Sequence, residues 1–552
     1  VETGVTDSPL RTFARSLIGR LPGLAARARS AVRTPDEALV ADAMDPDWYR
    51  AMNPDLVAAG ADPVDHFLRH GWREGRDPVA AFSVRDYLEL YPDIAEAGIN
   101  PFLHWLKAGK AEGRLPRREV GRAARAAGLL EPLQVRLDRA AARWPRVRPA
   151  SRDDLVRRLT ALGPALSDLH LTVSHDDAFR NVGGLQLCVQ REHAAFARQG
   201  VTGLHLHPVD TWPTLRQDGG GLLGLALSGE ALGVSSAQDL AAALASVLPP
   251  GGRRSFALHS LLGHDPAAIE AILRAGGFGR GVFWLHDFAS LCAGVHLMRD
   301  DLADCGAPPA DSAACGVCLY GPRRALHAGG HRRLFEAFDL TVLSPSQVAL
   351  DLWQRASGLG VVSARVLPHA TLGGPAKDAP ASPAPDGVLR VAFLGAPVPH
   401  KGWEVFCDLV QRFAGDPRYA FLQFGSQGAG YAGMGFVEAS VSAASPHAMR
   451  DALVREGVDV ALTWSLCAET FGFTALEAAA AGAAVLTGPD SGNIAAQISA
   501  GLGGRVVVDE AALVAAFETG EVLSLSRSAR NANVRDLVFS ELTASPGARP
   551  GP

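Results

Sequence analysis

Lysine is scarce in this chain: of 53 basic residues only Lys107, Lys110, Lys377 and Lys401 are lysines, and arginine supplies the rest. Positive charge is not in excess either. The formal net charge is -5 and no domain-sized stretch is strongly basic, which argues against a nucleic-acid-binding protein. Seven cysteines in 552 residues do not make a disulfide scaffold, and a reducing compartment fits them. No uninterrupted apolar run reaches the ~18 residues of a membrane-spanning helix. The Ala-rich stretch 478–486 is short and contains Gly482. The first residues show no apolar core followed by a small-residue cleavage site, so a cytoplasmic location is expected. What is present, 47% hydrophobic and 20% charged residues, is the balance of a globular protein, long enough for three or four domains of roughly 150 residues each.

The chain divides by pattern. Residues 1–45 form a basic tail in which Arg11, Arg15, Arg20, Arg27, Arg29 and Arg33 alternate with Phe13, Leu17, Ile18, Leu21 and Leu24. Two readings stay open: a solvated, disordered tail, or an amphipathic segment in peripheral contact with the inner face of an anionic membrane, interrupted by Pro22 and Gly23.

Residues 46–116 hold an internal repeat. Tyr49, Pro54, Asp55, Gly60, Pro63, His66, Gly71, Glu74, Gly75 and Arg76 recur 38 residues later as Tyr87, Pro92, Asp93, Gly98, Pro101, His104, Gly109, Glu112, Gly113 and Arg114. A fixed period over so many positions marks a duplicated helical unit. His66 and His104 are either ligands or core and capping residues, and no set of partner ligands accompanies them. Two copies are few for a solenoid, so packing on each other or on a neighbour is expected.

Residues 117–166 read as a helical linker. From 167 to 374, and again from 389 to 545, short apolar runs alternate with helical stretches, with a Pro/Ala-rich linker at 375–388 between them. That alternation predicts an α/β protein with two doubly wound, Rossmann-like domains facing each other across a cleft, ligands lying beyond the carboxyl ends of the strands.

One segment carries the most chemistry: Glu469-Thr-Phe-Gly-Phe-Thr-Ala-Leu-Glu477, which follows an apolar run and leads into an Ala-rich helix. On one helix the two carboxylates would sit roughly 12 Å apart along the axis and face different ways. They make more sense with Glu469 in the loop and Glu477 on the helix. Gly472 allows a tight turn, and the free amides near Phe473 and Thr474 make a phosphate-binding helix N-terminus. One carboxylate can then hold a sugar and the other ribose hydroxyls. The plain alternative is two exposed carboxylates.

This block resembles the Glu-x7-Glu signature of retaining glycosyltransferases of the GT-B fold, family 4 type, with Thr470 in place of the usual Gly and Phe473 in place of Leu. Three further motifs, in the family's order over roughly residues 168–540, add to the resemblance. Val391-Ala-Phe-Leu-Gly395 followed by His400-Lys401-Gly402 looks like the first strand and loop of the C-terminal domain. The resemblance makes Lys401 the cation that neutralises the leaving diphosphate, and Ala396 falls where the family has arginine. Asn181-Val-Gly183-Gly184 is similar to the loop that approaches the donor or acceptor, with His175, Asp176 and Asp177 upstream. Trp284-Leu-His286-Asp287 places His286 where the family's histidine contacts the donor sugar, and Asp287 beside it offers a carboxylate to orient the imidazole.

The resemblance implies a nucleotide diphosphate sugar as donor, a glycan or lipid-linked hydroxyl as acceptor, transfer of a hexose with retention, and no metal in catalysis. Glu469, Lys401 and His286 would be catalytic. Glu477, Gly472, Phe473, Thr474, Gly395, Gly183 and Gly184 would bind the donor. The 38-residue repeats resemble modules found beside bacterial glycosyltransferase domains, which suggests an accessory role and assigns no chemistry; the transferase itself is expected to act in bacterial surface polysaccharide biosynthesis. A sugar-nucleotide epimerase and a non-catalytic nucleotide-sugar-binding or scaffolding protein are the alternatives, the latter kept open by Ala396. Separately, Cys292, Cys305, Cys315 and Cys318 leave three readings: a structural four-thiolate zinc site, free thiols, or a disulfide.

Overall fold

The computed structural model describes residues 33–79, 81–117, 131–143, 147–219 and 221–545. The membrane-facing reading of the tail rests on residues almost all of which lie outside these. The chain divides into two compact units, Val1–Glu119 with Gly430–Gly433, and Val120–Ala429 with Met434–Pro552.

In the first unit the sequence repeat is a structural repeat. Helices Pro46–Met52, Pro54–Ala59 and Pro63–His66 run into a wide turn at Phe67–Gly71; helices Val84–Leu90, Pro92–Ala97 and Pro101–His104 run into the same turn at Trp105–Gly109. Proline opens five of these six short helices, where its missing N–H costs nothing. The repeated polar residues bond one another. Tyr49 Oη lies 3.0 Å from His66 Nδ1, and Tyr87 Oη lies 2.9 Å from His104 Nδ1. Arg76 pairs with Asp55 and Glu74, and Arg114 with Asp93 and Glu112. The two histidines are thus partners of buried tyrosines. A Cβ on Gly71 or Gly109 would overlap the tyrosine hydroxyl of its own copy. The copies pack on each other through Phe67, Phe82 and Phe102, with Phe102 6.0 Å from Phe67 and 5.0 Å from Phe82 between ring centres.

The second unit holds two α/β domains. The first has strands β1 (Asp168–Val173), β2 (Thr202–Pro208), β3 (Leu222–Leu227), β4 (Glu230–Ser236), β5 (Arg253–Leu258), β6 (Arg280–Trp284), the short pair β7 (Met298–Arg299) and β8 (Ala303–Asp304), then β9 (Asp339–Ser344), β10 (Ser363–Val366) and β11 (Ala370–Pro375). The second has β12 (Leu389–Leu394), β13 (Tyr419–Gly425), β14 (Gly435–Glu438), β15 (Val460–Leu462), β16 (Ala484–Thr487), β17 (Gly504–Val506) and β18 (Arg535–Phe539). The first sheet runs β10-β9-β6-β5-β1-β2-β3-β4, and the second β14-β13-β12-β15-β16-β17. The second sheet is wholly parallel, and the first is parallel except where β3 and β4 add an antiparallel edge. This is the two-domain, doubly wound architecture the strand–helix alternation predicts. Central strands are buried on both faces, so they read as continuous apolar runs.

Strands β2 and β4 escape a reading by apolar runs. Histidines alternate through β2, and β4 is half exposed at the edge. The end of the chain also crosses back. After β18 pairs with β11, Leu542–Ala544 packs on helix Gly184–Arg198 of the first domain. Residues 541–545, assigned to the second domain by pattern, therefore sit on the first. Among the described residues no helix is long and apolar enough to cross a membrane.

Candidate functional site

Glu469, Lys401, His286, Gly183, Gly395 and Gly472 sit in the loops that follow parallel strands, and Gly184, Phe473, Thr474 and Glu477 on the helices after those loops. The chain leaves β12 through Gly395, whose φ of +98° suits only glycine, and turns through Pro399–Lys401 into helix Trp403–Phe413. At Gly402 a Cβ would overlap the Trp464 carbonyl oxygen, so the Lys401 turn lies directly on the loop after β15. Leu466 N donates to the His400 carbonyl oxygen at 2.9 Å, tying the two loops together.

That apposition brings Lys401 Nζ to 2.5 Å from Glu469 Oε1, which also accepts from Ser465 Oγ at 3.0 Å. Burial pushes the Glu469 carboxyl up, but the ammonium and the hydroxyl more than offset it and hold the group below its ordinary range. Burial likewise opposes the charge on Lys401, and Glu469 raises it above the usual value. The pair is ionised. The Glu469 backbone is fixed too, because its carbonyl oxygen accepts from Asn493 N at 2.9 Å.

Glu469 stands in the loop, as the spacing argued, and Glu477 on helix Phe473–Ala480. Gly472 caps that helix with φ +84°, and a Cβ there would lie 2.5 Å from Ile494 Cγ1. The amides of Phe473 and Thr474 lie in the helix's first turn, where no carbonyl of the helix itself can reach them. Gly395 lies beside the same turn, its Cβ direction meeting Thr474 Cγ2 at 3.9 Å. Glu477 is 5% exposed. Its carboxyl has no hydrogen-bond partner among the described residues, and burial alone raises it to about 8.

The first domain faces these groups. Helix Gly184–Arg198 starts at the Gly183-Gly184 pair, and a Cβ on Gly184 would lie 3.0 Å from the Phe473 ring. Thr470 Oγ1 donates to the His286 carbonyl oxygen at 2.9 Å. His296 of the first domain stacks on His400 of the second at 4.1 Å. Burial, His296 and Lys401 together push His400 down to about 3, so it is neutral and adds no charge to the Lys401 turn. Glu469, Lys401, Glu477, His286 and the glycine loops thus share one cleft between the facing strand ends.

Asp287 does not orient His286. Its Oδ1 accepts from Ala289 N at 2.8 Å and caps the local turn, because a carboxylate one residue along the chain reaches forward to its own backbone more easily than to the neighbouring ring. His286 Nε2 instead lies 2.8 Å from His259 Nδ1, and His259 Nε2 lies 3.1 Å from Glu192 Oε1. Neither His259 nor Glu192 was found from the sequence. The one signal available was His259 directly after an apolar run, the same position as His286.

The cysteine-rich loop carries hydrogen bonds of its own. All seven thiols are free, so the disulfide reading fails. Cys315 Sγ accepts from Arg324 Nη1 at 2.8 Å, Tyr320 Oη donates to Asp301 Oδ1 at 2.6 Å, and Leu319 N donates to Asp300 Oδ1 at 2.7 Å. Potential ligand atoms gather three at a time in two other places among the described residues, Cys188–His286–His369 and Asp177–His205–His207. The four thiols of the zinc reading, Cys292, Cys305, Cys315 and Cys318, are not among them. The first trio does not suit an ion: burial among Ala257, Val282, Trp284 and Leu343 keeps the Cys188 thiol protonated, and His286 Nε2 is engaged. In the second, Asp177 Oδ1 caps Phe179 N at 3.0 Å, His207 Nδ1 bonds the Pro208 carbonyl oxygen at 2.8 Å, and His205 Nε2 bonds Ser174 Oγ at 2.8 Å.

No family model and no curated protein matches this chain. Among solved structures it is similar to sucrose-phosphate synthase from Thermosynechococcus elongatus at 15% identity, over 66% of this chain and 92% of that one, with a TM-score of 0.44. It is similar to Anabaena HepE in complex with UDP and glucose at 13% identity, over 66% and 93%, with a TM-score of 0.40. WaaG, a glycosyltransferase involved in lipopolysaccharide biosynthesis, is similar at 14% identity, over 66% and 94%, with a TM-score of 0.39.

Proposed function

We propose that this chain is a hexosyltransferase that moves a sugar from a nucleotide diphosphate donor to a hydroxyl of a glycan or lipid-linked acceptor, with retention of configuration and without a catalytic metal. One observation carries the reading: an ionised Lys401–Glu469 pair stands one loop away from a buried, unpartnered Glu477, at the end of a parallel sheet and opposite His286 and Gly184. A cation, a helix N-terminus and two carboxylates of different protonation are what a diphosphate, a sugar and a ribose require together.

In this reading the diphosphate lies between Lys401 and the amides of Phe473 and Thr474, with Gly395 and Gly472 allowing its close approach. Glu477 takes the ribose hydroxyls. Glu469 faces the hexose and stabilises positive charge as the bond from C1 to the phosphate oxygen breaks. The acceptor oxygen attacks C1 from the same face, and its proton passes to the departing phosphate oxygen. Lys401 compensates the charge gained by the diphosphate. Closure of the two domains across the linker 375–388 excludes water and suppresses donor hydrolysis.

Ala396, where the resembled family has arginine, favours a second reading in which a nucleotide sugar is bound and not turned over. A panel of UDP-, GDP- and ADP-linked hexoses, assayed for transfer and hydrolysis with and without chelator, separates the two. Turnover unaffected by chelator and lost in Glu469→Gln and Lys401→Ala supports the transferase. Saturable binding with no turnover of any donor supports the second reading. Epimerised donor in the absence of acceptor overturns both.

A further inference from the structure

We infer that Asp177, His205 and His207 bind one divalent transition-metal ion, which fastens the loop leading into Gly183 and Gly184 to strand β2. The site stands on its own residues and does not rest on the transferase reading.

The sequence brings the donors to one face. His205 and His207 are two residues apart on β2, so their side chains leave the same side of the strand, and the rings stack with centres 5.3 Å apart. Gly224 stands opposite His207 on β3, and a Cβ there would lie 2.2 Å from His207 Cε1. A glycine inside a strand marks a close approach, and here the imidazole takes the space. Asp177 lies on the loop 174–183 between β1 and helix Gly184–Arg198. One ring nitrogen of each histidine and one oxygen of Asp177 lie within 4.8 Å of one another.

Each side chain is held by one atom and leaves another over. His207 Nδ1 donates to the Pro208 carbonyl oxygen at 2.8 Å, which leaves Nε2, 3.8 Å from Asp177 Oδ2. Asp177 Oδ1 accepts from Phe179 N at 3.0 Å, so Oδ2 is the oxygen that remains. Ser174 Oγ donates its one proton to the Asp176 carbonyl oxygen at 2.9 Å. Toward His205 it therefore accepts, and His205 Nε2 carries the hydrogen of that 2.8 Å bond. His205 is fully buried, and burial, with His207 and His193 nearby, keeps its ring uncharged. Its Nδ1 is then a buried lone pair with no partner among the described residues, which calls for an occupant.

Two imidazoles and a carboxylate are the donor set of a zinc-type site with one position open. Ligating imidazoles are aimed by bonds from the other ring nitrogen to oxygen, as both of these are. Imidazole suits zinc, cobalt or nickel rather than magnesium or calcium. Metal bonds of about 2.0–2.2 Å set ligand atoms at most ~4 Å apart across an ion, so the three draw in by less than ~1 Å on binding. The Asp177 side chain is 22% exposed, which gives the ion a way in. Arg180 Nε lies 3.6 Å from Asp177 Oδ2, but its side chain is 75% exposed and can swing out. The bound ion would tie Asp177 to β2 and so fix the backbone that runs on to Gly184 beside Phe473. It takes no part in bond breaking.

The test is titration of the full chain, stripped with chelator and dialysed, with Co(II) and then Zn(II). Co(II) should give one equivalent of the visible absorption of a four-coordinate nitrogen and oxygen site, without thiolate charge-transfer absorption, and Zn(II) should displace it. One equivalent of Zn(II) should raise the melting temperature by several degrees and slow amide exchange in residues 174–183. Uptake should be lost in His207→Gln and weakened in Asp177→Asn, whose side-chain oxygen can still cap Phe179. No saturable uptake, thiolate absorption that puts the ion in the cysteine-rich loop, or uptake unchanged in both variants overturns the inference. The parent titration decides even if a variant does not fold. Melting and exchange report the ion and the donor panel reports turnover, so either reading can fail without the other.

Discussion

Thr470 Oγ1 donates a 2.9 Å hydrogen bond to the carbonyl oxygen of His286, joining the loop after β15 to the loop after β6 across the cleft. The family that the sequence resembles has glycine at this position, which has no side chain to reach across. Thr470→Val keeps the shape and removes the bond, at a cost of about 1 kcal/mol. Amide hydrogen exchange should rise in both loops while the rest of each sheet is unchanged. Unaltered exchange in residues 285–291 would show that the bond does not couple the two domains.

The Lys401–Glu469 pair should matter more to chemistry than to folding. The lysine side chain is 42% exposed but that of Glu469 only 11%, so removing the ammonium leaves a nearly buried carboxylate without its cation and should cost about 1–3 kcal/mol of stability, less than the lysine contributes to the reaction. Its loss at the moment the diphosphate departs should lower transfer by about 10²- to 10³-fold, the usual effect of removing one preorganised charge-stabilising group. Steady-state kinetics of Lys401→Ala, with circular dichroism melting alongside, checks both halves.

Glu477 gives a pH signature of its own. Its carboxyl sits at about 8 in the folded protein against an ordinary 4.5, so the folded state holds a proton that the unfolded state releases between those values. Its contribution to stability is therefore complete below 4.5 and is lost as pH rises to about 8. Glu477→Gln should melt higher than the parent at pH 8 and alike at pH 4.5. The same variant should bind donor about tenfold more weakly only above pH 8, where the parent's carboxylate is ionised and offers the ribose a charged acceptor. Equal melting at both pH values would mean that the group is already ionised.

Several histidines are buried in neutral form. Burial holds His193, His331 and His369 near 3 and His264 near 4, against an ordinary 6.5. On unfolding they take up protons below 6.5, so the stability they confer is present above that value and lost as pH falls toward 4. The melting temperature of the second unit should drop steeply across this interval, and replacing His331 with Gln should shallow the drop.

The repeat unit offers a size test. Gly71→Ala would force Cβ into the Tyr49 hydroxyl, a buried clash of the kind that costs about 1–3 kcal/mol. Removing the hydroxyl in Tyr49→Phe should recover part of the loss in the double variant, whereas Gly60→Ala meets no neighbour and suffers only from its φ of +61°. Limited proteolysis between residues 46 and 116 would rank the three.

Much of this protein was legible in its residues. A period of 38 residues declared the duplicated unit, because the same tyrosine, histidine, glycine and arginine must meet in each copy. Buried parallel strands announce themselves as apolar runs, and Gly395 and Gly472 mark turns that side chains could not make. The loop position of Glu469 and the helical position of Glu477 followed from local spacing alone. Contacts between residues far apart in the chain were decided only by the tertiary fold. His286 looked to its neighbour Asp287 for orientation and found His259 and Glu192 instead, 27 and 94 residues away, because sheet order places β5 next to β6 and the Gly184 helix over both. The loop rich in cysteine carries hydrogen bonds accepted by Asp300 and Asp301 and donated by Arg324, and no spacing of cysteines announces them. Local sequence records what the backbone must do; which charge meets which hydroxyl depends on crossovers that no short pattern encodes.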